Sequence, residues 1–205
     1  MIRPLLAVSV LAALSAAPAV RAHEAGDLIL RVGAHTVDPK SDNGSLAGGA
    51  LAVDVGSSTR PTFAVEWMLT DNLGLDVLAS LPFRHDIDLN GAHAGSTKHL
   101  PPTVSLQWHF NPRGTVQPYL GAGINYTLFS GERSAGPIAG TDLDLDASWG
   151  LAAHAGIDFR LGERWLLGID ARWIDIDTDV RVDGADVGTV NIDPMVFGVY
   201  AGYRF

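Results

Sequence analysis

Seven histidines are the first residues to weigh for chemistry, because neutral imidazole is both a proton carrier and the commonest metal ligand. His85, His93 and His99 share one stretch with Asp86 and Ser96. Their spacing matches no H-E-x-x-H motif, and a Ser/His/Asp triad is recognised by geometry that spacing does not supply. They read as solvated loop histidines, and no catalytic residue or metal ligand is assigned. Asp142, Asp144 and Asp146 offer the oxygen ligands that calcium takes, without the EF-hand pattern. Their alternation with Leu143 and Leu145 reads equally as a strand extension or lid. No cofactor is implied.

A second set of polar residues is spaced differently. Arg31, Glu66, Asp76, Asp158, Arg160, Asp170, Arg172 and Arg204 each stand one position away from a bulky apolar residue, inside runs of strict alternation. In a strand that period puts the charges on one face and the apolar residues on the other. Opposite charges gathered on an enclosed face must pair, because an unpaired buried charge is costly. The chemistry expected of them is a salt-bridged plug. His35, His109 and His154, in phase with these charges, are expected to join its hydrogen bonds.

The elements that must position this set are strands. Met195 to Phe205 alternates Met195, Phe197, Val199, Ala201, Tyr203 and Phe205 with Val196, Gly198, Tyr200, Gly202 and Arg204. Seven further alternating segments precede it, beginning near Asp27, Thr62, Leu73, Val104, Leu120, Trp149 and Trp165. The third is expected to run from Leu73 to Phe83 with Phe83 outward. Short turns fall at Thr70-Asp71-Asn72, Asn111 to Gly114 and Gly162-Glu163-Arg164, while longer connections follow strands one, three, five and seven, the last including a polar hairpin near Asp183-Gly184. That asymmetry predicts an all-β fold, an eight-stranded antiparallel transmembrane β-barrel with short periplasmic turns and longer extracellular loops. Trp67, Trp108, Phe110, Phe159, Trp165, Tyr203 and Phe205 then form a girdle at the turn end. Phe83, Tyr126, Phe129, Trp149 and Trp173 form another at the loop end. A soluble lipocalin-type barrel keeps its apolar face inside and has no use for outward tryptophans at two levels.

Composition agrees with export. Arg3, the apolar run Leu5 to Ala17 and the small-residue site Val20-Arg21-Ala22 read as a cleaved signal peptide, residues 1–22, ahead of an outer-membrane barrel domain, 23–205. Losing Arg3 and Arg21 from 14 basic residues, against 23 acidic, leaves a net charge of about −11, which argues against nucleic acid as a partner. The chain has no cysteine, so a closed ladder rather than disulfides must hold the fold.

The mature start His23-Glu24-Ala25-Gly26, the block TDNLGLDVLASLPFRHDI (Thr70 to Ile87), HLPPT (His99 to Thr103), PYLGAGINYT (Pro118 to Thr127), Ser148-Trp149-Gly150, Asp175-Ile176-Asp177-Thr178 and the closing Ala201-Gly202-Tyr203-Arg204-Phe205 together resemble the OmpW family of outer-membrane proteins. The resemblance spans the mature chain. It implies passage of small, mainly hydrophobic molecules across the outer membrane, and its terminal phenylalanine resembles the signal read by the outer-membrane insertion machinery. It also implies a lumen narrowed by a leucine and a tryptophan. Leu78 matches the leucine, whereas the tryptophan's place falls on Arg172, which implies a more polar floor with Asp170, Asp158 or Asp76 as partner.

An eight-stranded barrel holds its own side chains or one small ligand, not an open pore. Leu78, Ser80, Pro82, Ile174, Ile176 and Val196 are expected to line an apolar path above the charged floor. A greasy solute would enter from outside and leave sideways into lipid. Pro82 either weakens the wall there or merely ends its strand. The alternative function is a structural or adhesion barrel with a filled lumen. Membrane lipid and small hydrophobic solutes are the expected partners, with the chain a monomer or weak oligomer.

Overall fold

A computed structural model describes residues 23–205; the expected signal segment lies outside the described residues. Fifteen strands follow in chain order. The first seven are β1 (Leu28–Asp38), β2 (Ser45–Leu46), β3 (Leu51–Val55), β4 (Ser58–Met68), β5 (Leu73–Ser80), β6 (Phe83–Leu89) and β7 (Ala92–Leu100). Then come β8 (Thr103–His109), β9 (Val116–Ser134), β10 (Leu143–Leu145), β11 (Ser148–Leu161), β12 (Trp165–Ile174), β13 (Asp177–Val182), β14 (Ala185–Asn191) and β15 (Met195–Arg204).

Eight of these make the barrel, in the ring order β1, β4, β5, β8, β9, β11, β12, β15, and every neighbouring pair is antiparallel. Closure comes from β15, which pairs with β1 from Ile29↔Arg204 to Asp38↔Met195 and with β12 from Trp165↔Tyr203 to Trp173↔Met195. Closure leaves the ring without a free strand edge, which the bilayer requires.

The alternation sorts as the pleat dictates. Leu30, Val32, Val65, Val77, Leu106, Ile124, Leu151, Ile169 and Val199 are exposed to the surround, while Ile29, Arg31, Glu66, Asp76, Gln107, Asp158 and Arg172 are buried inside. Cross-strand aromatic pairs mark both rims. Trp165 meets Tyr203 edge-on at 4.9 Å at the turn end, and Tyr126 meets Trp149 at 4.4 Å at the loop end. Small residues admit large ones to the narrow lumen. A Cβ at Gly168 or Gly33 would strike Tyr200, and one at Gly156 would strike Tyr119.

Above the loop-end rim the chain remains ordered as strands. β9 outruns the barrel and pairs with β7, β7 with β6, β6 with β3 and β3 with β2. A separate three-stranded sheet, β10-β13-β14, faces them. The hairpin turns Asn90-Gly91 and Asp183-Gly184 both place two consecutive residues at positive φ, the conformation two-residue hairpins favour and one that glycine accommodates. Asn43 staples the two sheets: its Nδ2 donates to the Asn191 carbonyl at 2.9 Å, and its Oδ1 accepts from the Val55 amide at 3.0 Å.

Two loop-end aromatics depart from the expected girdle. Phe83 is 2% exposed and belongs to the apolar core. The ladder slips at Leu81-Pro82, between the end of β5 at Ser80 and the start of β6, and a one-residue slip moves every following side chain to the other face. Phe129 turns inward without any slip, because it is in phase with the inward residues Tyr119, Asn125 and Thr127 of β9, and it packs against that core and meets His99 edge-on at 6.1 Å.

Candidate functional site

The barrel floor is a single ionic network centred on two arginines. Arg31 Nη2 lies 2.6 Å from Glu66 Oε2 and 3.1 Å from Asp158 Oδ2, and its Nη1 lies 3.5 Å from Asp76 Oδ1. Its guanidinium also sits 5.9 Å from the Tyr119 ring centre and 5.5 Å from that of Tyr200. The two tyrosine hydroxyls meet across the lumen at 2.7 Å, and Tyr200 donates to Asp158 at 2.6 Å.

Arg172 binds Asp170 at 2.9 Å and Asp76 at 3.5 Å, two of the three partners that the sequence offered it. Asp170 is also 2.8 Å from His35 Nε2, whose other ring nitrogen is 2.6 Å from the Thr62 hydroxyl. His109 Nε2 is 2.8 Å from Glu66, and His154 Nε2 is 2.9 Å from Gln107. The void left at this height, between Leu78, Tyr119, Asp170 and Tyr200, measures about 10 Å³. That is room for roughly one water.

The structure thus brings together Arg31, Glu66, Asp76, Asp158, Asp170 and Arg172. Arg160 and Arg204 lie apart from that network, at the turn end. Arg160 reaches the Pro112 carbonyl at 3.4 Å, and Arg204 reaches Asp27 at 3.3 Å and the Glu163 carbonyl at 2.7 Å. They close β-turn connections, a role that alternation cannot separate from the network's.

Over the floor lies a packed apolar layer. Ile174, Ile176 and Val196 are buried in the main core cluster, and Leu78 is buried at the network's upper edge. Ser80 is half-buried. Pro82 is exposed rather than inward, because the ladder slip precedes it, and its carbonyl accepts from Arg60 Nε at 3.1 Å. The pairing of β5 with β8 ends at Leu78↔Thr103, and that of β6 with β7 begins only at Phe83↔His99. Pro82, Pro101 and Pro102 occupy the gap, none with an N–H to give.

A wholly apolar space sits higher, between the two extracellular sheets. It is a cavity of about 190 Å³ walled by Leu46, Val53, Val55, Leu89, Leu145, Val180, Val187 and Val190. None of the six path residues read from the sequence lines it. Its walls come from segments that sequence reading treated as polar loops, although the short alternations Leu51-Val53-Val55, Ile87-Leu89 and Val180-Val182 were visible there. Leu143 and Leu145 point into this cavity from β10. Neighbouring Asp146 accepts from Arg181 at 3.0 and 2.5 Å. The acidic run is therefore a strand with a paired outer edge.

The histidines of that region divide. His93 is exposed and lies 3.3 Å from Asp88. His85 and His99 are buried and stacked, with ring centres 4.5 Å apart and planes 9° from parallel, beneath the cavity and beside Phe83. Burial pushes both imidazoles below the ordinary histidine pKa, His99 the further. Ser96 accepts from Arg84 at 3.3 Å.

Comparison with known proteins places this geometry. The OmpW family profile matches residues 24–205. Outer membrane protein W of Vibrio cholerae is 41% identical, with 97% of each chain covered. The crystal structure of the outer membrane protein OprG from Pseudomonas aeruginosa superposes with a TM-score of 0.81 at 33% identity, covering 91% of this chain and 99% of that one. A more distant relative, named as the dibenzothiophene metabolism operon protein PahQ of Pseudomonas aeruginosa, is 25% identical, over 80% of this chain and 79% of its own.

Proposed function

The chain belongs to the OmpW family of outer-membrane barrels, and from that premise we propose that it takes up small hydrophobic molecules from the cell exterior. The extracellular cavity carries this reading, because an apolar space of about 190 Å³ open toward solvent is a place where a greasy solute leaves water. Dibenzothiophene, the compound in the PahQ relative's name, is a small apolar molecule of the class that such walls accept.

Passage straight down is opposed by the ionic floor, where stripping a paired guanidinium or carboxylate of its partner costs several kcal/mol. The path of lower cost runs sideways. The gap between Leu78↔Thr103 and Phe83↔His99, held by three prolines, is where the wall has the fewest ladder bonds to break. Leu78 stands at its foot, and Ile174, Ile176 and Val196 form the apolar step beneath the cavity. The solute then enters the outer leaflet.

Vesicles containing the protein and a fluorescent hydrophobic probe test this directly. Leu145→Asp, which places a charge on the cavity wall away from the barrel, is expected to reduce probe entry to the level of protein-free vesicles. Leu78→Glu is expected to slow entry while leaving probe binding to the detergent-solubilised protein intact. Parent protein that admits no more probe than protein-free vesicles would favour a purely structural barrel, and uptake unchanged by both substitutions would overturn this route.

A further inference from the structure

His23 precedes β1 and folds under the ionic floor, where its backbone N–H donates to the Pro112 carbonyl at 3.0 Å. Its side chain is buried, and neither ring nitrogen has a hydrogen-bond partner. His109, wholly buried with its ring centre 4.8 Å from that of His23, also leaves Nδ1 without a partner. Gln117, opposite Asp158 in the β9–β11 ladder, leaves Oε1 in the same condition. Buried polar atoms are as a rule paired. Several unpaired lone pairs at one end of one lumen point to a ligand that accepts lone pairs.

We propose that His23, His109 and Asp158 bind one zinc-class divalent metal ion at the periplasmic floor, a site independent of the uptake route. One ring nitrogen from each histidine and one oxygen of Asp158 lie within 4.8 Å of one another. Tetrahedral zinc at about 2.0–2.1 Å from each donor holds them about 3.3 Å apart, so small side-chain rotations complete the site. Asp158 already accepts from Arg31 and Tyr200, but a carboxylate has about four lone-pair sites.

The surroundings are those of a metal ligand. His109 Nε2 lies against Glu66 Oε1 at 2.8 Å, with Gln107 Nε2 a longer 3.2 Å away. A carboxylate on the far nitrogen fixes the tautomer that leaves Nδ1 its lone pair, the usual support behind a metal-bound histidine. Charge points the same way. In the network above, the guanidiniums of Arg31 and Arg172 face the carboxylates of Glu66, Asp76, Asp158 and Asp170, a formal excess of two negative charges; Arg160, which shares the Pro112 carbonyl with His23, offsets one of them and leaves a net negative charge for a cation to meet. Two imidazoles and one carboxylate favour zinc, copper or nickel over magnesium or calcium. Sequence spacing assigned no metal, because His23, His109 and Asp158 lie on three separate segments. Bound metal would tie the amino-terminal segment across the barrel mouth and seal it.

The test uses untagged protein purified from outer membranes in detergent, stripped with a chelator and titrated with Zn²⁺ against a chromophoric competitor. One equivalent is expected to bind, with magnesium failing to displace it. His23→Ala, outside every strand, and His109→Asn should each weaken binding at least about tenfold, while Glu66→Gln, which removes no ligand, should weaken it by about 10–100-fold. His93→Ala should change nothing, and far-UV circular dichroism confirms that each variant is folded. Absence of an equivalent in the parent protein, or an unaltered titration in folded His23→Ala, would overturn the site, as would loss of zinc only in His93→Ala.

Discussion

Three carboxylates and two tyrosine rings converge on Arg31, which makes it the residue on which the floor's stability depends. Replacing it with methionine preserves the stem's packing but leaves Glu66 and Asp158 as buried charges without their cation. Breaking a buried pair in that way costs about 3–5 kcal/mol. Tyr200→Phe removes only the hydroxyl that joins Tyr119 to Asp158, an expected loss of about 1–2 kcal/mol. Urea unfolding in lipid vesicles should therefore rank the two variants in that order; equal midpoints would mean that the network adds little to stability. Alternation disclosed that Arg31, Glu66 and Asp158 all face inward. It did not disclose that they touch, since Asp158 is 127 positions away and its height against Arg31 depends on the register of every intervening strand. Arg160 and Arg204 carry the same sequence signature and lie elsewhere.

Between β5 and β6 the legible and the illegible meet within three residues. Leu73 to Ala79 alternates as the sequence indicates, yet the slip at Leu81-Pro82 buries Phe83 and re-aims His85, and counting by twos cannot register an irregularity of that kind. The consequence is a stacked His85–His99 pair on β6 and β7 that burial holds neutral. His85 accepts further influence from the Gly56 carbonyl, Arg60 and Asp86, whereas His99 faces His85. Both pKa values are depressed in the fold, so the pair's contribution is fully present above the unfolded value of about 6.5. It drains as pH falls toward the folded values, because the unfolded chain then takes up protons that the fold refuses. Hydrogen exchange in β6 and β7, corrected for intrinsic rates, should speed up between pH 7.5 and pH 5, and His99→Phe should reduce that acceleration, the remainder belonging to buried His85. Protection independent of pH in the parent protein would show that the stack is not an acid-sensitive joint.

The molecule as a whole is two structures sharing strands, a barrel fixed by lipid and an extracellular pair of sheets fixed by its own apolar core. The barrel was legible because lipid outside and charge inside impose one period on eight strands. The upper sheets were not, because their alternations are short, are interrupted by glycines such as Gly44, Gly48 and Gly188, and are read as loops by any rule that expects loops there. This division predicts that the two parts separate experimentally. The barrel ladder between β12 and β15 is complete from Trp165↔Tyr203 to Trp173↔Met195 without help from β13 or β14. Replacing the β13–β14 hairpin, Asp177 to Asn191, with a short Gly-Ser turn removes Val180, Val182, Val187 and Val190 from the cavity wall. The shortened chain should still insert and keep the strand signal and the urea midpoint of the barrel, since the Arg31 and Arg172 contacts all lie below the deletion. Uptake of the hydrophobic probe into vesicles should fall to the protein-free level. If uptake survives in a barrel that has lost this wall, solutes are captured below the extracellular sheets, and the entry point moves down to the proline gap beside Leu78.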